Sequence, residues 1–400
     1  MGYVASSADP CLYIRKENDI DGRTNIVTAI GVYVDDLLIK VHPDYAHDVV
    51  EQLKSTFTMT YSGEVTTFLG LNIKRDSETR AITVDQHRYL TDKLTEFGHL
   101  ETNGRRRWTP ASPGIQYTKS MCMSVAEHTD EEKKTVRNFE YRSKIGALLY
   151  IALRTRPDVA NAVRMAARFS ADPGIEHCRL VDNIFQYLSS TREYSLTFGD
   201  VDPFLKKKYC LDSTDDLVLN IYADADLNKT GYSATGIMMM LNGGWIFPKS
   251  KTQTCVALST MEAELVASCT AAQRAQPIRW ILSDLGYPRT PDNTILWTDA
   301  QANKAFIENP KRNQRNAHIE RKYLYVCDLY KQKAFDLRYV NTKDNIADIG
   351  TKSPTVQDFV NVCKRLFRQA GKIGYDRWNF DKSTYFGREH EKPAEDADGK

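Results

Sequence analysis

Two adjacent aspartates, Asp35 and Asp36, stand between two apolar runs in the stretch GVYVDDLLIK, residues 31–40. Such runs predict two β-strands joined by a tight turn, which places both carboxylates side by side. Like charges this close repel each other unless a cation or hydrogen-bond donors compensate them. Magnesium takes oxygen ligands, and two such ions can activate an attacking oxygen and stabilise a leaving one in phosphoryl transfer. A type I′ turn that tolerates aspartate is the alternative explanation.

The elements around these aspartates alternate between strand and helix over the first hundred residues. Apolar residues at helical spacing predict a helix in YAHDVVEQLKSTF, residues 45–57. The stretch TFLGLNIKRDSETRAITVDQ, residues 67–86, predicts a hairpin. We therefore expect a mixed unit of strands and helices here.

The rest of the chain is predicted to be helical first and mixed later. The pattern between Phe139 and Leu188 is largely helical, with interruptions at Arg156-Pro157-Asp158 and Asp172-Pro173-Gly174. The later elements are a strand with Tyr222, a hairpin at Gly243-Gly244, a helix from Ser259, a strand to Asp299, a helix, a strand at 335–340 and a helix after Thr342. That order predicts a mixed sheet with helices.

The long helix that begins near Ser259 carries two further predictions. Ser259 and Glu262 have the spacing of a capping box, in which the Ser259 hydroxyl accepts from the Glu262 amide and the Glu262 carboxylate accepts from the Ser259 amide. Pro277 lies further along the same helix and is expected to kink it or to restart it.

Shifts in composition divide the chain. A loop-like segment covers 102–132, a polar and turn-rich segment covers 198–216, and the chain turns basic and then acidic after the stretch TKSP. The predicted units are 1–101, 102–200, 215–353, and a partly disordered tail over 354–400.

Composition excludes several classes of protein. The chain has 400 residues, 42% of them hydrophobic, which is enough for more than one domain with its own core. Its eight cysteines include no CxxC pair and are expected to be reduced thiols. No apolar run approaches the ~20 residues of a membrane span. The net charge is only +2, but basic residues cluster at 105–107, 206–208, 311–322 and 364–377, and such clusters can bind phosphates.

The stretch YVDD, which comprises Tyr33, Val34, Asp35 and Asp36, resembles the polymerase motif of reverse transcriptases of Ty1/copia-type retrotransposons. Other stretches resemble copia-type Pol in the same order: SADPCLYIRK, TFLGLNIKRD, ITVDQHRYLTDKLTEFG, YRSKIGALLYIALRTRPDVANAV and HCRLVDNIFQYLSSTREYSLTF. The resemblance implies a partial palm over 1–101, with Phe68–Gly70 at the primer strand, and a helical thumb and connection over 102–200. It also implies that Asp35 and Asp36 are metal ligands.

From Val218 onward the chain resembles a ribonuclease H domain, in the stretches NIYADAD, SKTQTCVALSTMEAELVAS, LWTDAQANKAFIENP and NIADIGTK. The implied metal ligands are Asp224, Glu264, Asp299 and Asp348, with Mg²⁺ as the ion or Mn²⁺ in its place. Each of these acids ends a predicted strand or lies in the first turns of a following helix. Four acids so placed can converge on two ions ~4 Å apart. A single acid at such a position is usually a helix cap or a solvated side chain.

The implied fold class is α+β with α/β: a partial palm with a helical thumb and connection, then a ribonuclease H-like mixed five-stranded sheet with helices. His318 is expected either to assist proton transfer at the scissile phosphate or to be a structural hydrogen-bonding group. The implied partners are an RNA/DNA hybrid and a nucleic-acid template-primer, with no membrane. The implied location is a cytoplasmic retrotransposon particle or the nucleus.

The stretch before Asp35 departs from the family pattern. Nothing between Met1 and Ala29 resembles the motif that carries a further metal-binding aspartate. We therefore expect polymerisation to need upstream Pol segments, with the fingers and the first palm motif. The alternative functions are a catalytically decayed nucleic-acid-binding remnant and an integrase core. In an integrase core the acids follow the order Asp, Asp, Glu along the chain. Here the glutamate, Glu264, comes second, which argues against an integrase.

Overall fold

The computed structural model describes residues 1–18, 24–101, 106–199, 217–227, 231–287, 289–310 and 321–367. The strands are β1 Val4–Ala5, β2 Leu12–Asn18, β3 Thr24–Tyr33, β4 Asp36–Val41, β5 Thr67–Phe68, β6 Leu71–Arg75, β7 Ile82–Asp85, β8 Leu196–Phe198, β9 Leu219–Asp226, β10 Ala234–Leu241, β11 Gly244–Thr252, β12 Thr294–Thr298 and β13 Asp336–Tyr339. The helices are α1 Ala46–Thr56, α2 His87–Glu96, α3 Asp130–Arg137, α4 Tyr141–Arg154, α5 Ala160–Ala167, α6 Ile175–Ser190, α7 Thr260–Asp284, α8 Gln301–Glu308, α9 Tyr325–Lys331 and α10 Val356–Leu366. No helix in these ranges is long and apolar enough to cross a membrane.

The first sheet is antiparallel, with the strand order β1-β2-β3-β4. Its β3–β4 hairpin confirms the strand, turn and strand predicted around the two aspartates, with Tyr33 paired to Asp36. Helix α1 covers one face, where Val49 and Leu53 pack with Ile30 in a small core. The apolar spacing that predicted this helix is therefore the spacing of its buried side.

The second sheet, with the order β5-β6-β7-β8, joins distant parts of the chain. Its strands β6 and β7 form the predicted hairpin, and β8 returns after helix α6 to pair with β7. The segment predicted as a loop or linker does not lie free, because Ala111, Tyr117 and Cys122 are buried in the core of helices α4–α6. The sequence did not predict this burial, because apolar residues in a loop have no periodicity that would mark them as buried.

A buried ion pair fixes the turn between α4 and α5. The Arg156 guanidinium lies 2.7 Å from the Asp158 carboxylate and also donates to the Thr191 carbonyl, 2.9 Å away. The Tyr187 hydroxyl donates to the same carboxylate at 2.6 Å. Both charges are fully buried, so breaking the pair would leave an uncompensated charge.

Helix α10 lies where the sequence predicted the start of a partly disordered tail. Its buried side carries Phe359, Cys363 and Leu366, which pack in the same core as α6. The Tyr187 ring meets Phe359 edge-on, with ring centroids 5.7 Å apart. Residues 356–366 are thus helical, and the part of the predicted tail from residue 368 onward lies outside the described residues.

The third sheet is mixed and has five strands, in the order β11-β10-β9-β12-β13, as predicted for this region. Strand β9 runs parallel to β12 and antiparallel to β10, and β12 runs parallel to β13. Alternate residues of β9 belong to different cores: Ile221 packs with α7, and Tyr222 packs with the core of α4–α6 and α10. Both faces of the sheet are therefore covered, which explains why β9 is buried from Leu219 to Ala225.

Helix α7 settles two details of its prediction. It is continuous through Pro277, so of the two expectations for this proline the restart is wrong. The Ser259 hydroxyl accepts from the Glu262 amide at 3.2 Å as predicted, whereas the Glu262 carboxylate accepts from the Leu258 amide, 2.7 Å away. The backbone before the cap decides which amide the carboxylate reaches, and spacing along the chain does not specify it.

Candidate active site

Three of the predicted acids meet at one edge of the third sheet. Asp224 lies near the carboxyl end of β9, and Asp299 directly follows β12. Because these neighbouring strands are parallel, their carboxyl ends lie at the same edge. Asp348 joins them from the 3-10 helix Ile346–Gly350, not from the α-helix expected after the last strand. One carboxylate oxygen from each of the three lies within 4.8 Å of the others.

Glu264 stands beside these three acids on the second turn of α7. Its Oε1 accepts from the amide of Ala225, the residue after Asp224, at 3.3 Å. Burial, and then the charges of Asp224, Asp299 and Asp348, raise the pKa of Glu264 to about 9. The four predicted acids thus form one electrostatic cluster.

Neighbours orient the acids of this cluster. The Thr351 hydroxyl donates to Asp224, and the Asn345 amide donates to Asp299 at 3.2 Å. The Lys352 ammonium lies 2.8 Å from Asp348 and partly compensates the cluster. Sequence reasoning did not single out Thr351, Lys352 or Asn345, although all three lie within the quoted stretch NIADIGTK.

Burial dominates the electrostatics of the other two shifted acids. It raises the pKa of Asp348 to about 7, where Asp224 adds to the effect and Lys352 opposes it. Burial also raises the pKa of Asp224, again against the charge of Lys352. The raised pKa means that these carboxyl groups keep their protons to higher pH than free ones do, whereas a bound cation would favour their deprotonated forms.

The donor set fits divalent cations. Glu264 Oε2 and Asp348 Oδ1 are buried and have no hydrogen-bond partner in the described part of the chain. Unpartnered buried carboxylate oxygens are costly unless a cation or a donor satisfies them. Carboxylate oxygens are the ligands of Mg²⁺ and Mn²⁺, so the cluster suits such ions.

A close approach of two backbones brings Asp348 into the cluster. A Cβ at Gly236 of β10 would lie 2.5 Å from the Ala347 carbonyl oxygen and 2.9 Å from the Thr351 side chain. Only glycine therefore lets the 3-10 helix of Asp348 pack directly on β10.

We expect Gly236→Ala to lower the free energy of unfolding by ~1 to 3 kcal/mol, because the added methyl group overpacks this contact. It should also weaken Mg²⁺ binding, since Asp348 moves with its helix. The matched control is Gly146→Ala on α4, where a Cβ meets no atom within 4 Å. Thermal melts and magnesium titrations of both variants test this, and equal stability of the two would contradict the packing argument.

The polymerase-motif residues lie apart from this cluster. Asp35 and Asp36 are exposed at the hairpin turn, as are Tyr33 and Val34. Val34 has a φ of 54°, in the left-handed region that β-branched residues rarely adopt. Neither aspartate belongs to a potential metal-binding group among the residues that the structure describes. His318 lies outside the described residues.

Comparison with known proteins agrees with the resemblance to Ty1/copia-type Pol. Residues 2–112 match the family model "Reverse transcriptase (RNA-dependent DNA polymerase)". The Pol polyprotein from transposon TNT 1-94 of Nicotiana tabacum is 30% identical over 91% of this chain and 26% of its own length. The Ty1-GR3 Gag-Pol polyprotein of Saccharomyces cerevisiae is 25% identical over 73% of this chain and 16% of its own length. The chain thus spans about a quarter or less of these relatives.

Among solved structures, ribonuclease H1 from Halobacterium salinarum is similar to 32% of this chain and 88% of its own, with 18% identity and a TM-score of 0.25. The family assignment does not depend on that similarity. It follows from the reverse transcriptase match and from the TNT 1-94 relative, whose similarity extends over 91% of this chain. The chain belongs to the Ty1/copia-type retrotransposon Pol polyproteins.

Proposed function

We propose that this chain hydrolyses the RNA strand of RNA/DNA hybrids, with Asp224, Glu264, Asp299 and Asp348 as ligands of two divalent cations. The observation that carries the proposal is the convergence of three carboxylates within 4.8 Å, with Glu264 buried beside them. Structural caps or solvated acids would not be gathered from four separate elements into one partly buried cluster.

The ions, when bound, would activate water and stabilise the leaving oxygen of the RNA strand. The chain's own residues hold the ligands in place. The Ala225 amide orients Glu264, Asn345 orients Asp299, and Thr351 orients Asp224. Lys352 offsets part of the negative charge at Asp348. His318 is proposed to assist proton transfer at the phosphate, in keeping with the family resemblance.

A second proposal concerns residues 1–200. We infer that Asp35 and Asp36 are metal ligands of an RNA-directed DNA polymerase site that other Pol segments complete, within a palm over 1–101 and a thumb and connection over 102–200. The exposed hairpin and the family match over residues 2–112 support it. The Tyr150 hydroxyl of α4 donates to the Leu69 carbonyl at 3.2 Å, which ties the proposed primer-binding loop to the proposed thumb. The implied setting is a retrotransposon particle.

The test is cleavage of a hybrid whose RNA strand is labelled. We expect the full chain to cut that strand with Mg²⁺ or Mn²⁺ but not in EDTA, and to leave single-stranded RNA intact. Asp299→Asn, purified in the same way, should lower the rate by a factor on the order of 10³, because the ions lose a ligand.

The same assay decides between the enzyme and the catalytically decayed remnant. A parent chain that binds the hybrid without cutting it would favour the remnant. Cleavage that Asp299→Asn leaves within a few fold of the parent rate would show that the carboxylate assignment is wrong.

A further inference from the structure

A groove of about 290 Å³ lies between the edge strand β11 and helix α7, away from the carboxylate cluster. Val266, Cys269, Thr270 and Gln273 form its α7 wall. These residues lie about 140° to 240° around the helix from Glu264, on the opposite side of α7. The groove is therefore separate from the active site proposed above.

Two lysines form the other wall of the groove. Lys249 and Lys251 are two residues apart on β11, so their side chains project to the same face of the sheet. That face is the α7 side, because Lys249 is paired across the strands with Ile237, which packs in the α7 core. The two ammonium groups therefore lie close together beside the groove.

Among the residues that the structure describes, no carboxylate lines this groove to compensate its positive charge. Burial, then the charges of Arg274 and Lys251, lowers the pKa of Lys249. The charged neighbours that act on Lys249 are thus cations, and no carboxylate is among the described residues that line the groove. Gathering cations without a counter-ion is costly, and an anionic ligand would remove that cost.

The remaining polar groups also suit a phosphate. Thr254 and Gln273 line the groove at exposed positions and can donate hydrogen bonds to an anion. Lysines with hydroxyl and amide donors bind the backbone phosphates of nucleic acids without reading their sequence. An open groove with one lysine-rich wall favours successive phosphates of a strand over a small enclosed ligand.

We propose that this groove binds phosphodiester groups of the nucleic-acid strand, as an anchor separate from the site of cleavage. The inference rests on the proposed function for the identity of its ligand. It accounts for two lysines of β11 that line a groove with no carboxylate among its described lining residues, on the side of α7 opposite Glu264.

The test compares two double variants of the full chain. Lys249→Gln with Lys251→Gln removes the groove charges, and Lys134→Gln with Lys331→Gln removes the same charge from exposed positions on α3 and α9. Binding of a short labelled RNA/DNA hybrid is measured by fluorescence anisotropy, in EDTA, as the KCl concentration is raised. No cleavage occurs in this assay, so failure of the proposed hydrolysis would not affect its outcome.

The logarithm of the association constant falls as log[KCl] rises. We expect this slope to be less steep by ~1.5 in the groove variant, since two phosphate contacts are lost. Between roughly 50 and 200 mM KCl, the factor by which the parent loses affinity should then be about ten times the factor for the groove variant. The same change should appear in an Asp299→Asn background, because the groove is separate from the carboxylates. Equal slopes for the groove variant and its control would overturn the proposal. It would also be overturned if the groove lysines bound orthophosphate while the hybrid slope stayed unchanged.

Discussion

Glu264→Gln is expected to abolish hybrid cleavage and to leave the metal-free protein at least as stable as the parent. The substitution keeps the shape of the side chain and the acceptor for the Ala225 amide, but it removes the charge that would bind the ions. Without metal, burial and then the charges of Asp224, Asp299 and Asp348 oppose that charge, so folding requires the Glu264 carboxyl to take up a proton or, at high pH, to carry a repelled charge. A glutamine avoids both costs. We expect a loss of rate on the order of 10³ or more.

Glu262→Ala is the matched control, because Glu262 lies two residues away on the same helix. Its carboxylate accepts from the Leu258 amide and serves the start of α7. This variant should lose ~0.5 to 2 kcal/mol of stability and still cut near the parent rate below its melting temperature. Thermal melts in EDTA beside the hybrid assay check both. A Glu264→Gln protein that cuts, with a Glu262→Ala protein that does not, would mean that the two roles are reversed.

The second large effect is a dependence of metal-free stability on pH. The folded-state pKa of Asp348 is raised to about 7 and that of Glu264 to about 9, above their ordinary values of 3.8 and 4.5. The folded state therefore binds more protons than the unfolded state between these limits. The stability that this contributes is present below the ordinary values and is lost as pH rises through the folded-state values.

In EDTA we therefore expect the melting temperature of the parent to fall, relative to that of Glu264→Gln, as pH is raised from about 5 to about 9. Saturating Mg²⁺ should reverse the trend, because cations bind the deprotonated carboxylates. At a hundredfold excess over its dissociation constant, Mg²⁺ should raise the melting temperature by ~5 °C at high pH and by less near pH ~6. Parallel melting curves for the parent and Glu264→Gln across this range, without metal, would contradict the raised pKa of Glu264.

Local patterns were sufficient for most of the elements. The apolar spacing of α1, the hairpin around Asp35 and Asp36, and the helical region from α4 to α6 all follow from short-range periodicity, which depends on neighbouring residues alone. Two details of α7 that local patterns left open or mis-specified depend on the surroundings. Its passage through Pro277 and the reach of Glu262 to Leu258 are set by how the helix packs and how the chain enters it.

Burial outside regular elements was the part that patterns missed. Residues between 108 and 126 have no clear period, yet Tyr117 and Cys122 are buried against the helices. The start of the predicted tail is helix α10, whose apolar side completes the same core. A strongly amphipathic stretch indicates that its apolar side packs against another element. It does not identify that element, which here is α6, nearly two hundred residues earlier in the chain.

For the proposed site, the acids and the ordered stretches that carry them could be read from the sequence. It also placed Asp224 and Asp299 next to strands and Glu264 on a helix. That their oxygens meet follows from the fold, because the parallel pairing of β9 with β12 brings together residues far apart in the chain. The tertiary structure alone placed Lys352 against Asp348 and showed that Gly236 leaves room for the helix of Asp348. The physical reason is that a two-residue period fixes which face a side chain occupies, whereas long-range packing chooses which strands and helices become neighbours.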